Sequence, residues 1–422
     1  MTIDLIIRGA TCVSHQGTGL TDIAVRDGII VALGHFDEIN AKTSIDATGL
    51  HILPGVIDTE FHIGSDGVPD YRAAIKGGVT SLFSVGKIET EIPCDHAFYT
   101  PATLGNISKL HDLEQEEGCA AIHLSMAASN DLDVIADDRK LLKVLKNGRR
   151  RVVVHAEDQM RLDERRSNLE KGNVNSHSLW RDERVGLDAM RRILAIARGA
   201  GRPVHVQHIA GEKEMAMIAA NKDIATAAVS PHHLFLSAPD CYDKYLTYAQ
   251  IDPPIGTENN RIGLWKALNN GIIDVLASQH NPQAIELKDQ DYPHSPSGCP
   301  SIQTMLPQML TQVNECTLSL QALTDLTSAG PARTFNIARK GRIAVGYDAD
   351  LTFIDLTKEW TLADEDVETN CGWDLNAGNT YKGQVTGTMI RGETAMWQGE
   401  IKQGVTGKPI QFQDTFQEFE DE

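Results

Sequence analysis

The sequence predicts an α/β protein: a closed (β/α)8 TIM-like barrel with a β-sandwich satellite domain formed by both chain ends. Between about residues 55 and 335, short apolar runs alternate with helix-like stretches, which is typical of a buried parallel sheet. Residues 3–50 and the segment after residue 340 show alternating polarity and turn signals, which is typical of antiparallel strands. Two β-rich ends around an α/β middle therefore predict that the ends pair with each other.

The domain boundaries follow from these changes of pattern. The N-terminal part of the sandwich is predicted over residues 1–52, the barrel over 53–338 and the C-terminal part of the sandwich over 339–410. Residues 411–422 are predicted to be an acidic, solvated tail. A chain of 422 residues is long enough for one large domain and a satellite.

The barrel strands are predicted from apolar runs bounded by turn signals. The first run, HILPGVIDTEFHI over residues 51–63, is a buried strand entered through a bend at Pro54-Gly55. The later runs are VTSLFSV, CAAIHLSM, RVVVHAE, PVHVQHIA, DIATAAVS and IDVLASQ. Helices are predicted between them, for example over residues 187–198 and 323–336. About seven or eight such units favour a closed barrel, whose active site would lie where the strands end.

Composition excludes several classes of function. The net charge of −19 argues against a nucleic-acid surface and against binding to anionic membranes, since both need basic patches. No apolar run approaches the length of a membrane span, and the start MTIDLIIRGA does not resemble a signal peptide. The seven cysteines are scattered without a CxxC pair, so neither a disulfide framework nor a zinc finger is expected. We expect a cytoplasmic protein with reduced thiols.

Candidate metal ligands follow the predicted strands. Glu60 and His62 are two residues apart, so in an extended segment both side chains leave the same face. Further histidines lie in or just after later strands: His123, His155, His208 and His280. Because a barrel brings its strand ends together, we expect these side chains to meet at one mouth.

Motifs along nearly the whole chain point to one family. They are LIIRGATCV, GLHILPGVID, GGVTSLF, VHAED, HVQHIAG, SPHHL, SPSGCPSIQT, LTSAGPAR and KGRIAVGYDADLTFIDL. With these motifs the sequence resembles long-form dihydroorotase, within the dihydroorotase and allantoinase branch of the metal-dependent amidohydrolase superfamily. Dihydroorotase interconverts dihydroorotate and carbamoyl aspartate in pyrimidine biosynthesis. The resemblance implies a metallo-hydrolase barrel and a homodimer.

The metal positions of that family are only partly kept. Glu60 and His62 stand where the family has His-x-His, and His123 stands where it has a carboxylated lysine that bridges two metals. The two later histidine ligands match His155 and His208 without change. The resemblance therefore implies metal binding by His62, His155 and His208, with Glu60 and His123 as further candidates. It implies one zinc ion or none, and no binuclear centre.

The catalytic and substrate positions also differ. Gln279 stands where the family has the aspartate that serves as general base, and an amide cannot take a proton from water. Lys87 and Asp252 occupy the places of two substrate-binding asparagines, and no arginine follows the first strand until Arg72. Candidates for another base are Asp66, Asp252 and Glu157, by location only. No catalytic residue is therefore assigned.

Three hypotheses follow from these differences. The favoured one is a catalytically inactive dihydroorotase-like protein with a structural or regulatory role toward aspartate transcarbamoylase, which some homologues in the family assemble with. The second is an active zinc-dependent cyclic amidohydrolase with a rearranged metal site. The third is an authentic dihydroorotase. Because the losses fall on independent roles, we expect no turnover of dihydroorotate.

Overall fold

The structure of the chain is a computed structural model that describes residues 2–36, 40–64, 67–128 and 133–415. Its strands are β1 (Ile3–Arg8), β2 (Thr11–Ser14), β3 (Gly17–Leu20), β4 (Asp22–Arg26), β5 (Ile29–Gly34), β6 (Ala41–Asp46), β7 (His51–Pro54), β8 (Val56–Phe61), β9 (Val79–Val85), β10 (Asp95–Pro101), β11 (Cys119–Ser125), β12 (Val152–His155), β13 (Val204–Val206), β14 (Ala225–Val229), β15 (Val275–Leu276), β16 (Leu351–Thr361), β17 (Thr380–Ile390), β18 (Glu393–Trp397) and β19 (Glu400–Ile401).

Helices alternate with the central strands. They are α1 (Tyr71–Lys76), α2 (Leu110–Leu113), α3 (Asp138–Lys146), α4 (Gln159–Glu164), α5 (Ser176–Trp180), α6 (Glu183–Ala200), α7 (Glu212–Ala219), α8 (Pro231–Phe235), α9 (Asp240–Tyr245), α10 (Glu258–Asn269), α11 (Ile285–Lys288), α12 (Met305–Asn314), α13 (Leu320–Thr324) and α14 (Gly330–Phe335). Short 3-10 turns lie at Ile107–Lys109, Arg166–Asn168, Leu246–Ala249 and Asp364–Asp366, and a π-helical turn at Asp325–Ala329. Within the described residues, no helix is long and apolar enough to cross a membrane.

Strands β8 to β15 form one parallel eight-stranded sheet in chain order. The sheet closes on itself just after β15, where the His62 N–H donates to the His280 carbonyl at 2.8 Å. The His280 N–H donates in turn to the Glu60 carbonyl at 3.2 Å. Closure makes the sheet a barrel and brings all strand ends to one mouth, which confirms the predicted fold class.

A buried carboxylate reinforces this closure. Asp58 in β8 is fully buried and accepts hydrogen bonds from the Ser278 backbone N–H at 2.8 Å and from the Ser278 hydroxyl. Because a buried carboxylate is costly unless it is hydrogen-bonded, these contacts fix the register between β8 and the segment after β15.

The two chain ends form the β-sandwich, as predicted. One sheet has the order β5-β4-β1-β6, and the other has the order β19-β18-β17-β16-β7-β2-β3. β7 pairs with the C-terminal β16 and the N-terminal β2, so the predicted division at residue 52 falls inside a sandwich strand. Gly55 makes the step from β7 to the barrel strand β8 possible, because a Cβ there would lie 2.2 Å from the Thr80 hydroxyl oxygen.

One barrel strand was not among the predicted runs. Strand β10 has the sequence DHAFYTP, in which polar residues interrupt the apolar pattern that indicates a buried strand. Its first residue, Asp95, is nevertheless buried, because its carboxylate meets the Lys340 ammonium at 2.6 Å. The predicted helix over residues 323–336 is present, but the π-helical turn at Asp325–Ala329 interrupts it.

The expectation of a solvated tail over residues 411–422 is wrong for Phe412, whereas the other residues of 411–415 are exposed. Phe412 is 2% exposed and packs in the barrel core, edge-on to Phe83 with ring centroids 6.4 Å apart. Ile410 beside it donates its N–H to the His96 carbonyl near the start of β10. An aromatic side chain thus closes the end of the barrel where the strands begin. Residues 416–422 lie outside the described part of the chain.

A buried ion network joins the barrel to the sandwich. The Lys340 ammonium contacts Asp95 at 2.6 Å, Asp348 at 3.0 Å and Asp350. The Arg391 guanidinium also contacts Asp95. All three carboxylates are buried, so they depend on these cations for charge compensation.

We predict that Lys340→Met lowers the free energy of unfolding by about 3–5 kcal/mol, because it leaves buried carboxylates without their cation. Urea denaturation followed by circular dichroism measures the change. The control is Lys402→Met, which removes a lysine from an exposed pair with Glu400 and should change the free energy of unfolding by less than about 1 kcal/mol. Equal losses in the two variants would contradict the prediction.

Candidate active site

A small cavity lies at the mouth of the barrel where the strands end. Its volume is about 20 Å³, which is room for roughly one water molecule or ion. The lining residues are Glu60, His62, His123, His155, Gln207, His208, Ile251, Asp252, Gln279, Asn281, Ser297 and Gly298. The structure therefore brings together five of the candidate metal ligands, with Gln279 and Asp252, but not His280. The five are Glu60, His62, His123, His155 and His208.

Lys87 lies elsewhere. Its ammonium is 2.8 Å from the Glu116 carboxylate, and its side chain is 52% exposed. Lys87 was matched to a substrate-binding asparagine of the family, but its side chain points toward solvent and does not line this cavity.

Two of the lining residues have an unfavourable backbone conformation. His208 has φ of +34° and Gln279 has φ of +54°, although neither is glycine. Such conformations cost of order 1–3 kcal/mol and concentrate at functional sites. His208 lies two residues after β13 and Gln279 three residues after β15, and both side chains line the cavity at the mouth.

Three side chains in the cavity contact one another in series. His155 Nδ1 lies 3.2 Å from His208 Nε2, and His208 Nε2 lies 3.2 Å from Glu60 Oε1. Three buried polar atoms beside these contacts have no hydrogen-bond partner among the residues that the structure describes: Glu60 Oε2, His208 Nδ1 and Gln279 Oε1. Leaving a buried polar atom unpaired costs about 1–3 kcal/mol, so the cavity is built for a group that these atoms would bind.

Burial sets the charge state of these residues. It lowers the pKa of His62 to about 4 and that of His208 well below the ordinary range, and neighbouring histidines add to both shifts. Both imidazoles are therefore neutral at pH 7 and can offer a lone pair. Burial, and then the nearby Asp58, raises the pKa of Glu60 well above its usual value. Ionised Glu60 thus needs a cation nearby.

His123 is held by a residue that the sequence analysis did not single out. Its Nε2 donates to the Gln207 side-chain oxygen at 3.0 Å, and burial lowers its pKa to about 3. This hydrogen bond occupies Nε2, so that nitrogen does not face the cavity as a free ligand atom. The sequence gives no signal for this role of Gln207. Strand β13 ends at Val206, so the alternation of side chains along the strand does not predict which way Gln207 points.

The predicted alternative bases are already paired. Asp252 contacts Arg181 at 3.1 Å, and its other carboxylate oxygen lies 3.1 Å from His177. Burial raises the pKa of Asp252, but Arg181 and His177 outweigh it and the net shift is strongly downward. Glu157 contacts His155 at 2.9 Å and also Arg181. Asp66 lies outside the described residues.

His280 has a structural role. Its Nδ1 accepts the Ser301 N–H at 3.1 Å, so its Nε2 carries the proton and donates to Asp70 at 2.9 Å. Its ring also stacks on Phe61 with centroids 5.2 Å apart. These contacts use both ring nitrogens and leave none for a metal.

Two imidazole nitrogens in the cavity have the spacing of two ligands on one metal ion. Two imidazole nitrogens on a tetrahedral zinc ion lie about 3.3 Å apart, since Zn–N distances are about 2.0–2.1 Å. The 3.2 Å between His155 Nδ1 and His208 Nε2 is close to that value. A second acidic group, Asp95 with Asp348 and Asp350, also has oxygens within 4.8 Å of one another. There the Lys340 ammonium takes the place a cation would have.

Comparisons with known proteins agree with this architecture. The Amidohydrolase family model matches residues 51–395. The chain is 30% identical to an allantoinase of Salmonella choleraesuis (strain SC-B67), over 93% of this chain and 95% of the relative.

Solved structures share the fold. The L-hydantoinase (dihydropyrimidinase) from Arthrobacter aurescens superposes with a TM-score of 0.91, covering 97% of this chain and 100% of that one at 23% identity. Dihydropyrimidinase from Brevibacillus agri NCHU1002 superposes with a TM-score of 0.86, covering 96% and 97% at 25% identity.

These relatives are an allantoinase and hydantoinase-type enzymes, so the matches support the superfamily and not dihydroorotase in particular. A link to pyrimidine biosynthesis receives no support from them. The extent of the family match, with the relative that is 30% identical over nearly its whole length, shows that the chain belongs to the amidohydrolase family.

Proposed function

We propose that the chain is a metal-dependent hydrolase that opens a cyclic amide, using one divalent ion, with zinc favoured, held by His62, His155 and His208. The observation that supports this most is the series of contacts from His155 through His208 to Glu60. Beside it lie buried polar atoms that have no hydrogen-bond partner among the described residues. Three protein ligands with an open fourth position are the usual arrangement of catalytic zinc.

The charges around the cavity favour a bound cation. Two carboxylates, those of Glu157 and Asp252, contact the Arg181 guanidinium, and the buried carboxylate of Glu60 contacts His208 in the same cavity. Arg181 balances only part of this negative charge. A divalent ion beside Glu60 would compensate the rest and would keep Glu60 ionised despite its burial.

Glu60 is the residue we assign to proton transfer. A divalent ion bound there would polarise the amide carbonyl and make a water molecule acidic at neutral pH. Glu60 then accepts the proton of the attacking water, a role that the amide of Gln279 cannot fill. The water oxygen bonds to the carbonyl carbon, the ring C–N bond breaks, and the nitrogen takes the proton that Glu60 received.

The substrate class is inferred from the relatives. Allantoinase and hydantoinase are named for allantoin and hydantoin, and both compounds are cyclic ureides. We therefore propose an uncharged cyclic amide or ureide. Dihydroorotate is a poor candidate, because its carboxylate would meet the carboxylate of Asp252 at the cavity wall.

A second candidate is a catalytically inactive member of the family. The observation that favours it is Gln279, an amide at the position where the resemblance implies a general base. A chain without activity that keeps its core would serve through its surface, and assembly with aspartate transcarbamoylase is the proposal that the resemblance supports. Mixing the two purified proteins and measuring mass by light scattering, and transcarbamoylase activity with and without this chain, tests it.

We predict about one zinc ion per chain after metal-free protein is loaded with zinc and dialysed, measured by plasma mass spectrometry. His155→Asn should lose the ion, because it removes one of three ligands. The control is His205→Asn, a buried histidine on β13 that bonds Thr226 away from the cavity, and it should keep the ion. Two ions per chain, or the same loss in both variants, would contradict a mononuclear site.

We predict that the loaded protein opens hydantoin, allantoin or dihydrouracil, and that a chelator abolishes the reaction. Glu60→Gln should lower kcat by about 10²–10⁴-fold while zinc stays bound, since it removes the proton acceptor and keeps the size of the side chain. Ring opening is followed by loss of ultraviolet absorbance. Undiminished kcat in Glu60→Gln would refute the role of Glu60. No turnover and no bound metal would favour the second candidate.

A further inference from the structure

His155 is oriented by a carboxylate. Its Nε2 lies 2.9 Å from Glu157 Oε2, and both side chains are at most 3% exposed. A carboxylate only accepts hydrogen bonds, so the proton of His155 is on Nε2. That leaves the lone pair of Nδ1 directed toward His208 and the cavity. Partners of this kind set the tautomer and the ring orientation of histidine ligands.

Glu157 is itself held by a cation. The Arg181 guanidinium contacts Glu157 through Nη1 and Asp252 through Nη2, the latter at 3.1 Å. The Arg181 side chain is 5% exposed. A buried carboxylate without such a partner would be unstable in its ionised form.

The guanidinium has a fixed position. Nη2 also donates to the Ala128 carbonyl at 3.3 Å, and the group lies over the Trp180 ring at 4.9 Å from its centroid. The Arg181 side chain thus contacts three separate parts of the chain: the segment after β11, the segment after β12 and the loop at Asp252. Lysine could not reproduce them, because a single ammonium lacks the planar fork.

We propose that Arg181 is a positioning residue of the metal site: through Glu157 it fixes His155 with Nδ1 facing the cavity. This inference rests on the proposed function for its metal readout, but the tautomer of His155 is a second readout that needs no metal. Arg181 touches neither the ion nor the substrate in this assignment. Its effect is therefore on metal affinity and on one imidazole.

The test compares two buried arginines. Arg202 pairs with Glu114 at 2.7 Å, with side-chain exposures of 4% and 0%, at the end of the barrel where the strands begin. Arg181→Met and Arg202→Met each remove a buried guanidinium from a glutamate, so both should destabilise the protein. The zinc dissociation constant is measured by competition with a chromogenic chelator, and the His155 tautomer by long-range ¹H–¹⁵N NMR of protein labelled at histidine.

We expect Arg181→Met to raise the zinc dissociation constant about 10–100-fold and to mix the His155 tautomers. Arg202→Met should leave both unchanged within about twofold. Arg181→Lys should be intermediate, and it replaces Arg181→Met if the latter does not fold. An unchanged tautomer in the Arg181 variants, or an equal rise of the dissociation constant in Arg202→Met, would overturn the proposal. If wild-type protein binds no zinc, the proposed function fails, and the NMR result alone decides the role of Arg181.

Discussion

Closure of the barrel between β8 and the segment after β15 is the constraint on which the site depends. The backbone hydrogen bonds between residues 60–62 and His280, with Asp58 bonded to Ser278, fix one register. Because strand side chains alternate, a shift by one residue would turn Glu60 and His62 out of the mouth. The same contacts hold Gln279 opposite them, so the position of the site is a property of the fold.

Dehydration gives this mouth its chemical character. Burial disfavours the charged form of each group. The pKa values of His62 and His208 are therefore lowered, so these imidazoles are uncharged at neutral pH, and the pKa of Glu60 is raised. Within the described part of the chain, Glu60 Oε2, His208 Nδ1 and Gln279 Oε1 have no hydrogen-bond partner there. A cation entering such a place gains ligands without first displacing protons from the imidazoles. Arg181 limits how much negative charge is left for it.

The sequence predicted the parts that depend on local pattern. Apolar runs indicated most barrel strands, and histidines after those runs indicated a shared mouth, because closure follows from topology. The sequence did not reveal Arg181 or Gln207. Their roles arise from contacts between segments that are far apart in the chain, and no spacing between motifs in the sequence indicates such contacts. Strand β10 was not predicted because it contains a charged residue, Asp95. This carboxylate is buried because Lys340, 245 residues away in the chain, compensates its charge. Phe412 was predicted to be solvated because its segment of the sequence is acidic, but its aromatic side chain is buried in the core.

The sandwich sheet that joins β7 to β16 has a consequence for biosynthesis. Its strands come from the first 54 residues and from those after residue 350, so β7 can pair with β2 early in translation but cannot pair with β16 until residues 351–361 have been made. Until then, β7 exposes an unpaired backbone edge, the kind of surface that associates with other nascent chains. The first barrel strands can begin to pair before β16 is made, whereas this sandwich sheet cannot be completed until then, so this part of the molecule is where dependence on chaperones should be greatest.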